Sequence, residues 1–205
     1  MNVVYIHTHD TGRYLDPRVA PINLPNIGGV AGEAVSFTNA FAAAPTCSPS
    51  RSALLTGTSP HVNGMVGLAH RGFSLRDYSL HLNQRFREAG METALCGVQH
   101  VAADKAELRY DRVLDHRQDY FARSGLAPHL WDAENAERAA GYIRQRGEEG
   151  TPFFLSYGML ATHRPFPEPS GEPWRHPAPP PPVPNRPGTR EDMDRFLRSL
   201  RGVDH

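Results

Sequence analysis

The sequence predicts an α/β protein with a mainly parallel central sheet flanked by helices. Three observations lead there. Short apolar runs at residues 2–7, 91–97 and 152–159 have the length and composition of buried strands. The stretches between them carry apolar residues at helical spacing, so strands and helices alternate as in βαβ units. Each apolar run also hands over to a polar cluster, the place where open α/β sheets put their sites.

Asn2 to His7 is the first predicted strand, and it runs into His7-Thr8-His9-Asp10-Thr11-Gly12-Arg13. Leu24 to Ala34 reads as a weakly patterned helix, and Val35-Ser36-Phe37-Thr38 as a short strand. In Cys47-Ser48-Pro49-Ser50-Arg51-Ser52-Ala53-Leu54-Leu55-Thr56-Gly57, Pro49 suits a first helical turn and Ser48 an N-cap. Ala53, Leu54 and Leu55 supply a buried face, and Gly57 closes the helix. Cys47 then lies at a helix N-terminus, where unpaired N–H groups favour negative charge, with Arg51 one turn away. His61 to Phe73 reads as loop. Ser79 to Ala89 is a helix, with Leu82, Phe86 and Ala89 on one face and Gly90 as its stop.

The strand Met91–Gly97 delivers Gln99 and His100. Asp132 is expected to cap a helix carrying Ala136, Ala139, Ala140 and Ile143. The strand Pro152–Met159 delivers His163 and Arg164. Pro165 to Pro187 holds much of the proline, which excludes regular helix and central strand and predicts an extended surface segment. A final amphipathic helix runs from Thr189 or Arg190 to Leu200, with Met193, Phe196, Leu197 and Leu200 on one face.

With 22 basic and 22 acidic residues, the charge balance gives no argument for nucleic acid or an anionic membrane as a partner. Two cysteines, Cys47 and Cys96, are not a disulfide framework, although a bond between them stays open. No apolar run has the roughly 18 residues a membrane span needs. The opening residues lack the basic and long apolar regions of a secretory signal, so the chain as written is expected in the cytoplasm.

Cys47-Ser48-Pro49-Ser50-Arg51 followed by Leu54-Leu55-Thr56-Gly57 resembles the sulfatase signature, within the alkaline-phosphatase-like superfamily. That resemblance implies that a maturation enzyme converts Cys47 to Cα-formylglycine (3-oxoalanine), whose hydrate attacks the sulfur of a sulfate ester or sulfamate. It implies a supporting role for Arg51. The family's first strand usually ends in Asp-Asp, both binding calcium; here the pair is His9-Asp10. Asp10 and residue 47 carry over as metal ligands. His9 offers an imidazole where calcium wants oxygen, so it either stands outside the ligand set or alters the metal.

The family's Gly-Lys-x-His is Gly97-Val98-Gln99-His100 here. His100 carries over as a contact to the formylglycine hydroxyls, while Val98 replaces the sulfate-binding lysine and Gln99 is the candidate substitute. Thr162-His163-Arg164-Pro165-Phe166 resembles the family's His-Arg-Pro loop. It makes His163 the acid for the leaving group and Arg164 a contact to sulfate or to a sugar carboxylate. His61 to Leu68 looks most like the sulfamidase (heparan N-sulfatase) branch, which implies sulfated sugars as substrates.

The resemblance runs from Asn2 to about Asp204. Sulfatases are roughly twice this long, so residues 1–205 read as the amino-terminal portion of a sulfatase catalytic domain, expected to be inactive alone. Three alternatives stay open. They are a phosphonate or phosphodiester hydrolase of the same superfamily, a catalytically inactive carbohydrate- or partner-binding remnant, and an unrelated cysteine hydrolase using Cys47 with His100 or His163.

Overall fold

The computed structural model describes residues 1–16, 18–19, 21–114, 127–171 and 177–205. The chain forms two compact units. The first comprises Met1–His7, Asn39–Ala122 and Glu134–Gly158; the second comprises Thr8–Thr38, Arg123–Ala133 and Met159–His205.

In the first unit, strands β1 (Val3–His7), β2 (Glu92–Gly97), β3 (Arg112–Val113) and β4 (Phe153–Gly158) form a sheet of order β1-β4-β2-β3. All its pairings are parallel, as the alternation of elements predicts. β4 is central: Tyr157 pairs with Ile6 on one side and Cys96 on the other, and Gly158 with His7 and Gly97. All six of its residues are buried, because a strand covered on both faces must be apolar on both. Phe154 stacks on Phe86 of helix α4 (Leu82–Glu88), with ring centroids 4.3 Å apart. Phe153 meets Tyr142 of helix α5 (Pro128–Glu149) edge-on at 5.3 Å. Adjacent strand residues point to opposite faces, so α4 and the later part of α5 cover the two sides of the sheet. β1 is an edge strand with Val4 and Ile6 exposed.

A second apolar cluster in this unit joins Leu55, Met65, Ala69, Leu75, Val101 and Leu108, with Tyr5 and Tyr110 packed against it. Leu55 comes from helix α2 (Cys47–Thr56), which Gly57 closes in a left-handed conformation at φ 67°. Polar ties fix the sheet to its cover. Glu92 accepts hydrogen bonds from Arg146 Nε at 2.6 Å and from the Tyr142 hydroxyl at 2.9 Å. Buried Asn83 donates to the Leu108 carbonyl at 2.6 Å, and its Oδ1 lies 2.6 Å from His81 Nδ1.

In the second unit, helix α6 (Pro187–Asp204) buries Met193, Leu197, Leu200 and Val203 against Leu24 and Ala161. Helix α1 (Pro25–Gly32) has Leu24 at its N-cap, which provides no side-chain acceptor. The Asp204 carboxylate does that work from a distance, accepting from Ile27 N at 2.8 Å. A carboxylate at a helix N-terminus satisfies orphan donors and opposes the dipole.

Four local expectations are corrected. Val35–Thr38 is not a strand; Val35 and Phe37 are exposed and pair with no strand among the described residues. Ser48 is not the N-cap of α2. Thr46 is, and the buried Ser48 hydroxyl accepts from Ala69 N at 3.2 Å. Asp132 does not cap a helix: α5 begins at Pro128, a residue suited to a first turn, and Asp132 lies within it. The stretch 61–73 contains the end of a one-turn helix, α3 (Pro60–Asn63), and a 3₁₀ turn at Ala69–Arg71. The described part of the proline-rich segment has neither helix nor strand before α6; residues 172–176 lie outside the described residues.

Two predictions follow from this packing. A Cβ on Gly158 would overlap the Val98 carbonyl oxygen and fall 2.5 Å from His7 Cε1. Gly158→Ala is therefore expected to cost about 3 kcal/mol or more through backbone displacement, read as a lower urea midpoint. Burial pushes the His81 imidazole down to about 4. The unfolded chain takes up that proton near pH 6.5, so the contribution of neutral His81 is complete above about pH 6.5 and is lost as pH falls towards 4. The loss amounts to about 3 kcal/mol. His81→Gln should flatten that part of the pH–stability curve in denaturant melts.

Candidate active site

Cys47 is the first residue of α2, half-buried, with a free thiol. Side-chain hydrogen bonds brace the helix behind it. The Ser52 hydroxyl bonds the Pro49 carbonyl at 2.9 Å. Buried Asn63 donates to the Thr58 carbonyl at 3.2 Å and to Ser52 Oγ at 3.3 Å, while its Oδ1 accepts from Met65 N at 2.9 Å. The His61–Leu68 stretch thus braces the cysteine helix through Asn63, a role its loop-like composition did not signal.

Arg51 Nη1 lies against the His7 imidazole, in contact with Nδ1 and 3.4 Å from Nε2. His7 in turn stands 4.9 Å from the Tyr5 ring. Burial raises the Tyr5 phenol, and the Arg51 charge pulls partly the other way. Sequence reasoning placed His7 at a strand end but gave it no role. Its position as the last residue of β1 was the available signal.

His100 is half-buried and adopts a left-handed backbone at φ 54°, a conformation uncommon outside glycine that concentrates at functional sites. Gln99 braces the turn that carries it. Its Oε1 accepts from Val101 N at 2.5 Å and Ala102 N at 2.9 Å, and its Nε2 donates to the Ala102 carbonyl at 2.7 Å. The amide expected to replace a sulfate-binding lysine is engaged in shaping its own loop. Val98, at the lysine's position, is a core residue. Cys96 is buried, its thiol donating to the Asn135 carbonyl at 3.3 Å, so the open question of a disulfide is answered: none is present between the two cysteines.

In the second unit, His9 and Thr162 run side by side. His9 N donates to the Ala161 carbonyl at 3.1 Å, and Thr162 N and its hydroxyl donate to the His9 carbonyl at 2.8 and 2.9 Å. This pairing brings His9, Asp10 and His163 together. His9 Nδ1 lies 3.0 Å from Asp10 Oδ1, and the His9 and His163 rings meet edge-on at 4.6 Å. Asp10 has φ 57°, which an aspartate tolerates better than most residues.

The residues just before Thr162 are anchored by Asp132. Its buried carboxylate accepts from Leu160 N at 2.7 Å and Ala161 N at 2.8 Å. Burial nevertheless pushes it up to about 6. Arg164 forms an ion pair with Asp192 at 2.5 Å and lies over the Phe166 ring at 4.4 Å. Asp192 holds the guanidinium pKa above its ordinary value. A cleft of about 340 Å³ opens beside Asp10, Arg13, Tyr14, Arg164, Val183 and Phe196.

Calcium takes about six to eight oxygen donors. The cluster of His9, Asp10 and His163 offers one carboxylate and two imidazoles. That donor set does not fit calcium. The first unit presents a thiol at a helix start beside a fixed guanidinium, a combination suited to attack on an anionic group.

Comparison with known proteins agrees in sequence and in fold. Human N-sulphoglucosamine sulphohydrolase is 34% identical over 159 residues, which is 76% of this chain and 29% of that protein. A ulvan-active sulfatase of Formosa agariphila is 28% identical over 188 residues, covering 80% of this chain and 36% of its own length. The chain therefore spans about a third of these curated relatives. Among solved structures, a 2-O GAG sulfatase superposes with a TM-score of 0.69 at 18% identity, over 99% of this chain and 52% of its own. A protein in complex with its substrate D-glucosamine-2-N,6-O-disulfate superposes with a TM-score of 0.63 at 20% identity, over 82% and 35%. The family model named Sulfatase matches residues 1–205, and the chain belongs to the sulfatase family.

Proposed function

We propose that this chain carries the nucleophile of a hydrolase acting on sulfate esters or sulfamates of sugars. The observation that carries the reading is Cys47 at the first position of α2, half-exposed, with Arg51 one turn on and turned onto His7. The names of the relatives support the substrate class: one acts on N-sulphoglucosamine, another is ulvan-active, and a third is bound to a disulfated glucosamine.

As Cα-formylglycine, residue 47 supplies a hydrated aldehyde oxygen able to attack sulfur; conversion of the cysteine calls for a formylglycine-generating enzyme as a partner. The chain's own residues do the rest. Arg51 sets a permanent positive charge on the α2 face beside residue 47, which draws the sulfate and opposes the charge building on its oxygens. The first-turn N–H groups of α2 act in the same sense. His100, on its left-handed turn, is the candidate to take a proton from a hydroxyl of residue 47. The resemblance gives His163 the leaving-group proton and Arg164 the contact to sulfate or a sugar carboxylate. His163 Nδ1 lies 2.6 Å from the Arg164 carbonyl, so the ring works through Nε2.

A second reading, a chain that binds sulfated sugar without turnover, is favoured by Val98, buried where the family has a cationic side chain. One experiment separates them. The polypeptide bearing residues 1–205 is co-expressed with a formylglycine-generating enzyme, residue 47 is identified by peptide mass spectrometry, and release of sulfate from an aryl sulfate and from N-sulphoglucosamine is measured. The hydrolase reading expects a hydrazide-reactive aldehyde at residue 47, activity abolished by Cys47→Ala, and a fall of about 10²–10³-fold in kcat for Arg51→Ala. Binding of the sulfated sugar without sulfate release supports the second reading. An iodoacetamide-reactive thiol that is itself needed for turnover overturns both.

A further inference from the structure

The donor set at the start of the second unit conflicts with the calcium that the family resemblance implies. We propose that His9, Asp10 and His163 form a site for a divalent first-row transition ion of the manganese-to-zinc series, in place of calcium. All three residues belong to one compact unit, and one donor atom from each lies within 4.8 Å of the others. Donors that share an ion at about 2.0–2.2 Å sit roughly 3–4.4 Å apart, so a small contraction closes the set.

Three features prepare these side chains for that use. The His9 backbone is fixed by its bonds to Ala161 and Thr162, and its ring is buried, only 1% exposed. His163 Nδ1 is 2.6 Å from the Arg164 carbonyl; with the proton on Nδ1, the lone pair stands on Nε2. That is the arrangement found in metal-bound histidines, where the second ring nitrogen donates to a carbonyl or carboxylate. The Asp10 side chain is 57% exposed, which leaves room on the solvent side for water or an anion to complete the coordination.

Donor chemistry decides the class of ion. Two imidazoles and one carboxylate are the ligands of borderline transition ions with open positions, whereas calcium selects carboxylates and carbonyls. Charge adds a consequence. A dication held by a single carboxylate keeps a net charge of about +1. Among these three donors Asp10 offers the one carboxylate, so they offset about one of the ion's two charges.

The site stands on the second unit's geometry and does not depend on the fate of Cys47. Ligation does compete with one assigned role, because a His163 whose Nε2 holds an ion cannot also carry the leaving-group proton.

The test is metal binding by the chain itself, with the state of residue 47 read separately by mass spectrometry, so that failure of the hydrolase reading and failure of this one are distinct. Metal-free protein is titrated with Zn²⁺, Mn²⁺ and Ca²⁺ by calorimetry. The His9 and His163 ring signals are followed by NMR as Mn²⁺ is added in substoichiometric amounts. The expected result is binding of Zn²⁺ or Mn²⁺ about tenfold or more tighter than Ca²⁺, with broadening of those two rings ahead of the other histidines. His163→Ala, at a half-exposed position, should weaken transition-ion binding about 10–100-fold. His9→Asp, which restores an all-oxygen pair, should swing preference towards Ca²⁺. Calcium bound as tightly as zinc by the wild type overturns the proposal, as does Mn²⁺ broadening that spares His9 and His163. Transition-ion affinity unchanged in His163→Ala also overturns it and leaves His163 its acid role. The wild-type NMR result decides the matter even if buried His9→Asp does not fold.

Discussion

The first unit depends on the double constraint on β4. It is hydrogen-bonded along both edges and buried on both faces. A strand so placed has almost no freedom of register, since a slip of one residue would exchange Phe153 and Phe154 between α5 and α4. The same constraint sets the ends of its neighbours. His7, Gly97 and Gly158 finish in step, and Val98 N reaches the Gly158 carbonyl at 2.8 Å. The turn bearing His100 and the contact of His7 with Arg51 both inherit their position from that alignment. Gly158 is small because the ends of both neighbouring strands converge on it.

Much of this frame was legible. Val3–His7, Glu92–Gly97 and Phe153–Gly158 announce themselves as strand-length apolar runs, and Gly57 marks the end of α2 because only a residue free of Cβ strain favours that left-handed cap. What the sequence concealed was long-range polar pairing. Asp132 looks like a helix cap because aspartate ahead of an apolar helical pattern usually is one; nothing local tells that its acceptors serve Leu160 and Ala161 instead. Asn63 and Gln99 present the same difficulty. An amide in a loop is equally suited to a ligand or to its own backbone, and only the folded turn shows which. Val35–Thr38 failed for another reason. Its residues favour extended structure, but a strand exists only with a partner, and among the described residues it has none.

The site residues divide in the same way. Cys47 and Arg51 sit one helical turn apart, so local periodicity alone places them together. His9 and His163 are separated by most of the chain, and sequence could say only that each follows a strand. Their meeting at 4.6 Å depends on the His9–Thr162 pairing, in which two threonine hydroxyls converge on the same carbonyl, from Thr11 at 3.3 Å and Thr162 at 2.9 Å.

The exposed flank of β1 sets a limit of a different kind. Its outer backbone groups have no strand beside them among the described residues, and Val4 and Ile6 stand in solvent next to them. Such an edge accepts any extended apolar segment that reaches it, including one from another copy. That capture is second order in protein, while unfolding is first order. Any pairing through this edge therefore depends on protein concentration and on a few residues of one strand, independently of how tightly the sheet behind them is packed.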